Sequence, residues 1–311
     1  EAAAPALAQW LYNESDPSKL SAQQKSTISA ITGLAGAGIG AAAGGSAQGT
    51  SAANAAAASQ AAQNAVENNW GDFGHYCTMA AVLRFAGYSS KEAQAIALAA
   101  TAPDKDGRSA TTTENIALGI HGPQASIHAL DGVQDLEQVL QQQQELSKQA
   151  AEVFKFLDTL KGDPEKFAAA LTNPSIQNVL HKWGDVYGHV TQDGKHYSAG
   201  LGHTKDSVPF SYNPDNSFCN TDRYVQYVMD IYSVASQYRT PVIGEEAVRQ
   251  IAIEASQNRD DSDKIIELQN TVQRRTGDNI RLSFDLPLIW GTYNSDSHNN
   301  VNQRINNILK R

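Results

Sequence analysis

His181, Asp185 and His189 form an H-x3-D-x3-H series inside a segment whose apolar residues recur at helical spacing. On an α-helix each four-residue step turns the chain by ~40° and raises it ~6 Å, so the three side chains share one stripe. The outer histidines then sit ~12 Å apart along the axis, too far to share one ion. Asp185 lies midway with two carboxylate oxygens, so the spacing predicts a metal site at each end with Asp185 as bridge. Further candidates surround the series. His75 closes Trp70-Gly71-Asp72-Phe73-Gly74-His75 at the start of a helix, and Asp104 and Asp106 sit in a loop flanked by Pro and Gly. His128 lies in Ser126-Ile127-His128-Ala129-Leu130-Asp131, and His203 and Asp206 in a glycine-bearing turn. His121 and His196 have no partner at a recognisable spacing and read as structural.

Taken singly, each has a plainer role: a packed histidine, or an aspartate capping a loop. Their concentration argues for metal. Seven of the 8 histidines fall within residues 70–203. Imidazole and carboxylate without paired cysteines suit a catalytic zinc cluster better than a zinc finger.

The elements that must position these groups read as helices, over 76–87, 91–101, 132–160, 175–189, 220–237, 244–257 and 260–275. Ser89-Ser90 before Lys91-Glu92 makes a helix start, and Leu136, Val139 and Leu140 recur at helical intervals. Residues 190–219, rich in Gly, Asp, Ser, Asn and Pro, read as a long loop. Only Ile280–Phe284 alternates as a strand does, which allows one hairpin near the end. The fold class is all-α.

Composition divides the chain. Residues 1–69 carry almost no charge, and Gly33–Ala65 is Ala, Gly, Ser, Gln and Asn with hardly a branched side chain. Such a segment buries too little apolar surface to offset its ordering entropy and reads as a partly flexible linker or loose helix. Close-packed small-residue helices beside a membrane are the alternative. Aromatics and charges begin at Trp70, giving units at 1–69, 70–219 and 220–311, the last either part of the second or separate. With 24 Lys+Arg against 33 Asp+Glu, a net charge of −9 argues against binding nucleic acid by neutralising its backbone. It leaves a nuclease open, because metal ions can supply the positive charge. No apolar run suggests a transmembrane helix, the start at Glu1 shows no basic region of a signal peptide, and Cys77 and Cys219 can pair or stay free.

Two resemblances sharpen this reading. Leu11-Tyr12-Asn13, Leu20-Ser21-Ala22-Gln23-Gln24-Lys25, the Ala/Gly tract and Val66-Glu67-Asn68-Asn69 resemble the pretoxin region of contact-dependent growth inhibition effectors. These are bacterial two-partner-secretion proteins in which that tetrapeptide separates a constant stalk from a variable toxin. The resemblance implies a toxin in residues 70–311, shown on the producing cell's surface and delivered into a neighbouring bacterium. It also implies a cognate immunity protein, a target-cell receptor and a secretion transporter. More distantly, the His/Asp motifs look like those of zinc-dependent phospholipases C and single-strand-specific zinc nucleases. That resemblance implies two or three zinc ions: one on Asp104 or Asp106, His128, His181 and Asp185; one on His189, His203 and Asp206; one on Trp70, His75 and Asp185. His189 follows Asp185 more closely than in those families, the Asp104/Asp106 loop lacks their Trp-Ala-Asp context, and Trp70 is internal where they use a free amine. Cleavage after Asn69 would create that amine.

The expected activity is therefore a metal-dependent phosphodiesterase, with Asp72 or Asp131 orienting a water or a ligand imidazole. A nuclease, favoured by the Trp70–His75 spacing, would stack a base on Trp183, Tyr187, Tyr197 or Phe210. A phospholipase would use Trp70 and Phe73 as an apolar rim. Arg223, Tyr224, Arg274 and Arg275 read as solvated helix positions rather than a phosphate site. The rivals are a membrane-permeabilising helical toxin, and a toxin active through 220–311 with 70–219 serving entry.

Overall fold

A computed structural model describes residues 72–106, 126–197, 217–258, 261–282 and 296–310. The protein is all-α. A π-helical turn, Asp72–Thr78, runs straight into α1, Met79–Phe85. Gly87 then reverses the chain with φ +98°, where a Cβ would lie 2.1 Å from the Thr240 carbonyl oxygen, so only glycine fits. α2, Ser90–Asp106, opens with a reciprocal capping box: Glu92 N donates to Ser89 Oγ, and Ser89 N donates to the Glu92 carboxylate.

The next starts are written equally plainly. Asp135 accepts from the amides of Glu137 and Gln138 to begin α3, Leu136–Thr159. Asp163 and Asn173 cap α4, Pro164–Leu171, and α5, Pro174–Gly188, each with proline in the first turn, where its missing N–H costs nothing. α6, Thr221–Ala235, α7, Glu245–Gln257, α8, Asp261–Thr276, and α9, Asp296–Lys310, complete the described helices.

α5 is the central element, packed on α2, α3 and α6. Its Trp183 is fully buried between Phe154 of α3 and Tyr227 of α6, edge-on to both. Alanines 95, 97, 99 and 100 keep α2 slim, and α9 lies along α2 with Val301, Ile305 and Leu309 turned into the core. One apolar cluster runs from Phe73 to Leu309, taking residues from both sides of position 220.

The helices depart from the spacing-based expectations in several places. The first begins at 79, behind a π-turn, and α2 continues through Pro103 to Asp106. α4 and α9 had no expected counterpart. No strand forms at 280–282: Leu282 N donates to the Gln269 side chain, while Cys77 Sγ and Tyr76 Oη donate to the carbonyls of Leu282 and Arg281. Side chains, not a partner strand, satisfy that backbone. Cys77 is buried and Cys219 exposed, and neither is in a disulfide. Among the described residues no helix is long and apolar enough to cross a membrane. Residues 1–69 lie outside the described ones.

Candidate metal centre

His181 and Asp185 sit one turn apart on the buried face of α5, with Nε2 and Oδ2 3.1 Å apart. The other ring nitrogen of His181, Nδ1, donates to the Ala100 carbonyl of α2 at 2.8 Å. That bond fixes the tautomer and turns Nε2 toward the site, as a carbonyl behind a ligand imidazole does.

Three other segments converge on this pair. The π-turn delivers His75, whose Nε2 lies 2.8 Å from Asp185 Oδ1. A short helical turn at 126–128, followed by Ala129 at φ +53°, delivers His128, whose Nδ1 is 2.9 Å from both Asp185 Oδ2 and His181 Nε2. The end of α2 brings Asp104, whose Oδ1 is 3.2 Å from His181 Nε2 and 3.8 Å from His128 Nδ1. His75, His128, His181 and Asp185 are each at most 1% exposed.

This donor set fits a divalent metal ion. Ligands ~2.0–2.1 Å from a tetrahedral ion stand roughly 3.3 Å from one another, close to the spacings here. Two groups bring one ligand atom from each residue within 4.8 Å of one another: His75, His181 and Asp185; and Asp104, His128 and His181. Asp104 Oδ1 makes no well-aligned hydrogen bond, and His75 Nδ1 and His128 Nε2 are also buried without one. Buried polar atoms are rarely left so. Asp185 faces His75 with one oxygen and His128 and His181 with the other.

The electrostatics belong to the same constellation. Burial favours a neutral His181, yet Asp104 and Asp185 outweigh it and hold its pKa well above the usual histidine range. Burial likewise opposes ionising Asp185, but the histidines around it, His181 foremost, hold it well below the usual carboxylate range. Asp104 is lowered against burial chiefly by His181. His189 is different: burial dominates and pushes it down to about 4, so it stays a neutral imidazole.

Comparison with known proteins places this helical body behind a recognised segment. Residues 17–70 match the family described as pre-toxin domain with VENN motif. That match supports a polymorphic-toxin C-terminal region. A pre-toxin domain implies secretion and delivery to target cells, and agrees with a cognate immunity protein as partner. No curated protein and no solved structure matches the chain.

In the helical body, the structure brings together His75, Asp104, His128, His181 and Asp185. His189, the C-cap of α5, still donates its N–H to the Asp185 carbonyl at 2.7 Å and so keeps the helical step beyond Asp185. Its Nδ1 donates to the His128 carbonyl at 2.5 Å and lies 3.9 Å from Asp185 Oδ2. Trp70, His203, Asp206 and Phe210 lie outside the described residues, as do the side chains of Asp72 and Asp106.

Asp131 is paired with a histidine that sequence reasoning left structural. Its Oδ1 accepts from His196 Nδ1 at 2.9 Å, and the pair holds the Asp131 pKa down against burial. The turn at 190–196, closed by the Val190–His196 bridge, makes that meeting; no fixed spacing announces it. Trp183, Tyr187 and Tyr197 form no base slot, and Phe73 no rim. All four are buried, Trp183 Nε1 and Tyr187 Oη both donating to Asp230. Tyr224 is buried too, stacked on Phe73, so it is no solvated position. Gly184 is the missed supporting residue: a Cβ there would lie 2.7 Å from His75 Nδ1 and Cε1, and 3.0 Å from Tyr227 Oη.

Proposed function

We propose that the toxin is a metal-dependent phosphodiesterase, with zinc held by His75, His128, His181, Asp185 and Asp104. The observation that carries the reading is the convergence of these five side chains, from four separate segments, in a buried cluster. His181 and His189 have their Nδ1 hydrogens engaged by backbone carbonyls, leaving Nε2 to act as a ligand. Asp185, with its two oxygens turned to different partners, suits the bridging role between two ions. Zinc in such a site supplies Lewis acidity: it neutralises phosphodiester oxygens and lowers the pKa of water. The apolar packing around α5 keeps bulk water away and the ligands in register.

A nuclease is preferred to a phospholipase C, on the resemblance of Trp70–His75 to the zinc-nuclease opening. The pretoxin motif supports delivery by a contact-dependent, two-partner-secretion system with receptor, transporter and immunity protein.

Elemental analysis of the purified chain tests the reading, with the His181→Ala/Asp185→Ala double variant alongside. Two or three zinc equivalents, lost in a variant that keeps its helical circular dichroism, would be accompanied by cleavage of single-stranded DNA, RNA or phospholipid. Absence of metal after zinc is supplied, or full hydrolysis by the double variant, refutes the proposal.

A further inference from the structure

A pocket of about 340 Å³ opens between α3 and α5. Its wall shares segments with the candidate metal centre: Lys182 follows His181 directly, and Ser126 precedes His128 by two residues. Asn178, Gln142, Glu145 and Gln149 supply the rest of its polar lining. Its size suits a nucleoside-sized group.

We infer that this pocket holds the base and sugar of a nucleotide flanking the phosphodiester to be cut, with preference for a base bearing an exocyclic amine. This rests on the phosphodiesterase reading for its place in the reaction, though not for the binding itself.

The lining decides between ligand chemistries. Three carboxamides offer the paired donor and acceptor that match the edge of a base, the arrangement by which Asn and Gln read adenine. Acceptors are in excess: Glu145 brings a carboxylate, and Gln142 Oε1 and Asn178 Oδ1 are buried with no hydrogen-bond partner. Both side chains are only half-buried; Gln142 also bonds the Asp131 carboxylate, so the oxygen that a turn of the terminal amide brings to a ligand is that of Asn178. A ligand that carries N–H and O–H donors satisfies such acceptors, as the amines of adenine and cytosine and the ribose hydroxyls do. Lys182 adds a cation for an adjoining phosphate. An acyl chain finds only Leu146 and Val179 as apolar side chains there, and a quaternary ammonium headgroup, which has no N–H to give the unpaired oxygens, finds no aromatic face.

The test is calorimetric titration of the full chain with AMP, CMP, UMP and glycerophosphocholine, repeated on Asn178→Leu and Gln149→Leu. Bound zinc and the melting curve are recorded for every variant. AMP and CMP are expected to bind at least tenfold more tightly than UMP, and either variant to weaken AMP at least tenfold with zinc and melting unchanged. Equal binding of AMP and UMP overturns the base preference. Binding of glycerophosphocholine in place of nucleotides, no nucleotide binding at millimolar concentration, or AMP affinity unaltered in both folded variants overturns the site. Nucleotide binding by a chain that cleaves no phosphodiester leaves the pocket standing and removes the phosphodiesterase reading.

Discussion

Gly184 sits in mid-helix, where glycine costs about 1 kcal/mol relative to alanine. The compensation lies across the gap, where the His75 ring rests against the bare Cα. Gly184→Ala should therefore raise intrinsic helix propensity yet push His75 away from Asp185, lowering zinc affinity tenfold or more. Competition with a chromogenic chelator measures it; unchanged affinity would show that His75 is not a ligand. The cluster's charges give a second expectation. A raised pKa, as at His181, adds stability that is full below the ordinary value of ~6.5 and is lost as pH rises through the raised one. Depressed values, as at Asp185 and Asp104, add stability above ~3.9 that is lost as pH falls through them. Between those limits the metal-free cluster holds its extra proton on His181, and a metal ligand must give that proton up. Zinc uptake near neutral pH should release about one proton, seen as a heat that depends on the buffer's ionisation enthalpy. A heat independent of buffer would mean that His181 is neutral before metal arrives.

At the scale of the elements, Asp230 of α6 ties the site helix to its neighbours. It accepts from Ser147 of α3 and from Trp183 and Tyr187 of α5, at 2.7, 2.7 and 2.9 Å. Asp230→Ala leaves the buried Trp183 N–H unpaired and should cost about 2–4 kcal/mol in urea unfolding. Asp230→Asn, which keeps one acceptor oxygen, should cost less than half of that. Equal losses would show that the negative charge, rather than the acceptor, matters. The central helix was legible in the sequence because Asn173-Pro174 writes its start and the i, i+4 pair His181–Asp185 its inner face. α9 was not: its asparagines hide the Val301, Ile305 and Leu309 stripe, and asparagine is a poor helix former. The strand expected from 280 does not form at 280–282 because alternation records which side chains are buried, and here side chains rather than a ladder hold the backbone. Clumping of histidines pointed to His75 and His128, but their meeting with Asp104 is tertiary. The His196–Asp131 pair left no spacing signal at all.

For the whole molecule, the pre-toxin match and the helical body make separable demands. The apolar cluster is continuous from Phe73 to Leu309, so residues 70–311 are expected to fold without the segment before them. Produced inside a bacterial cell, that fragment should arrest growth, and His181→Ala/Asp185→Ala should abolish the arrest while the protein accumulates to the same level. Residues 220–311 alone should be harmless, because α6 would lose the α1, α3 and α5 surfaces against which it packs, and α8 the α1 surface. A membrane-permeabilising toxin predicts the opposite for the double variant, since it needs helices and an apolar face but no imidazole. Dye entry then separates the two readings: growth arrest with intact membranes and cleaved nucleic acid follows from the phosphodiesterase. Dye entry that survives the double variant would move the killing activity away from the His/Asp cluster altogether.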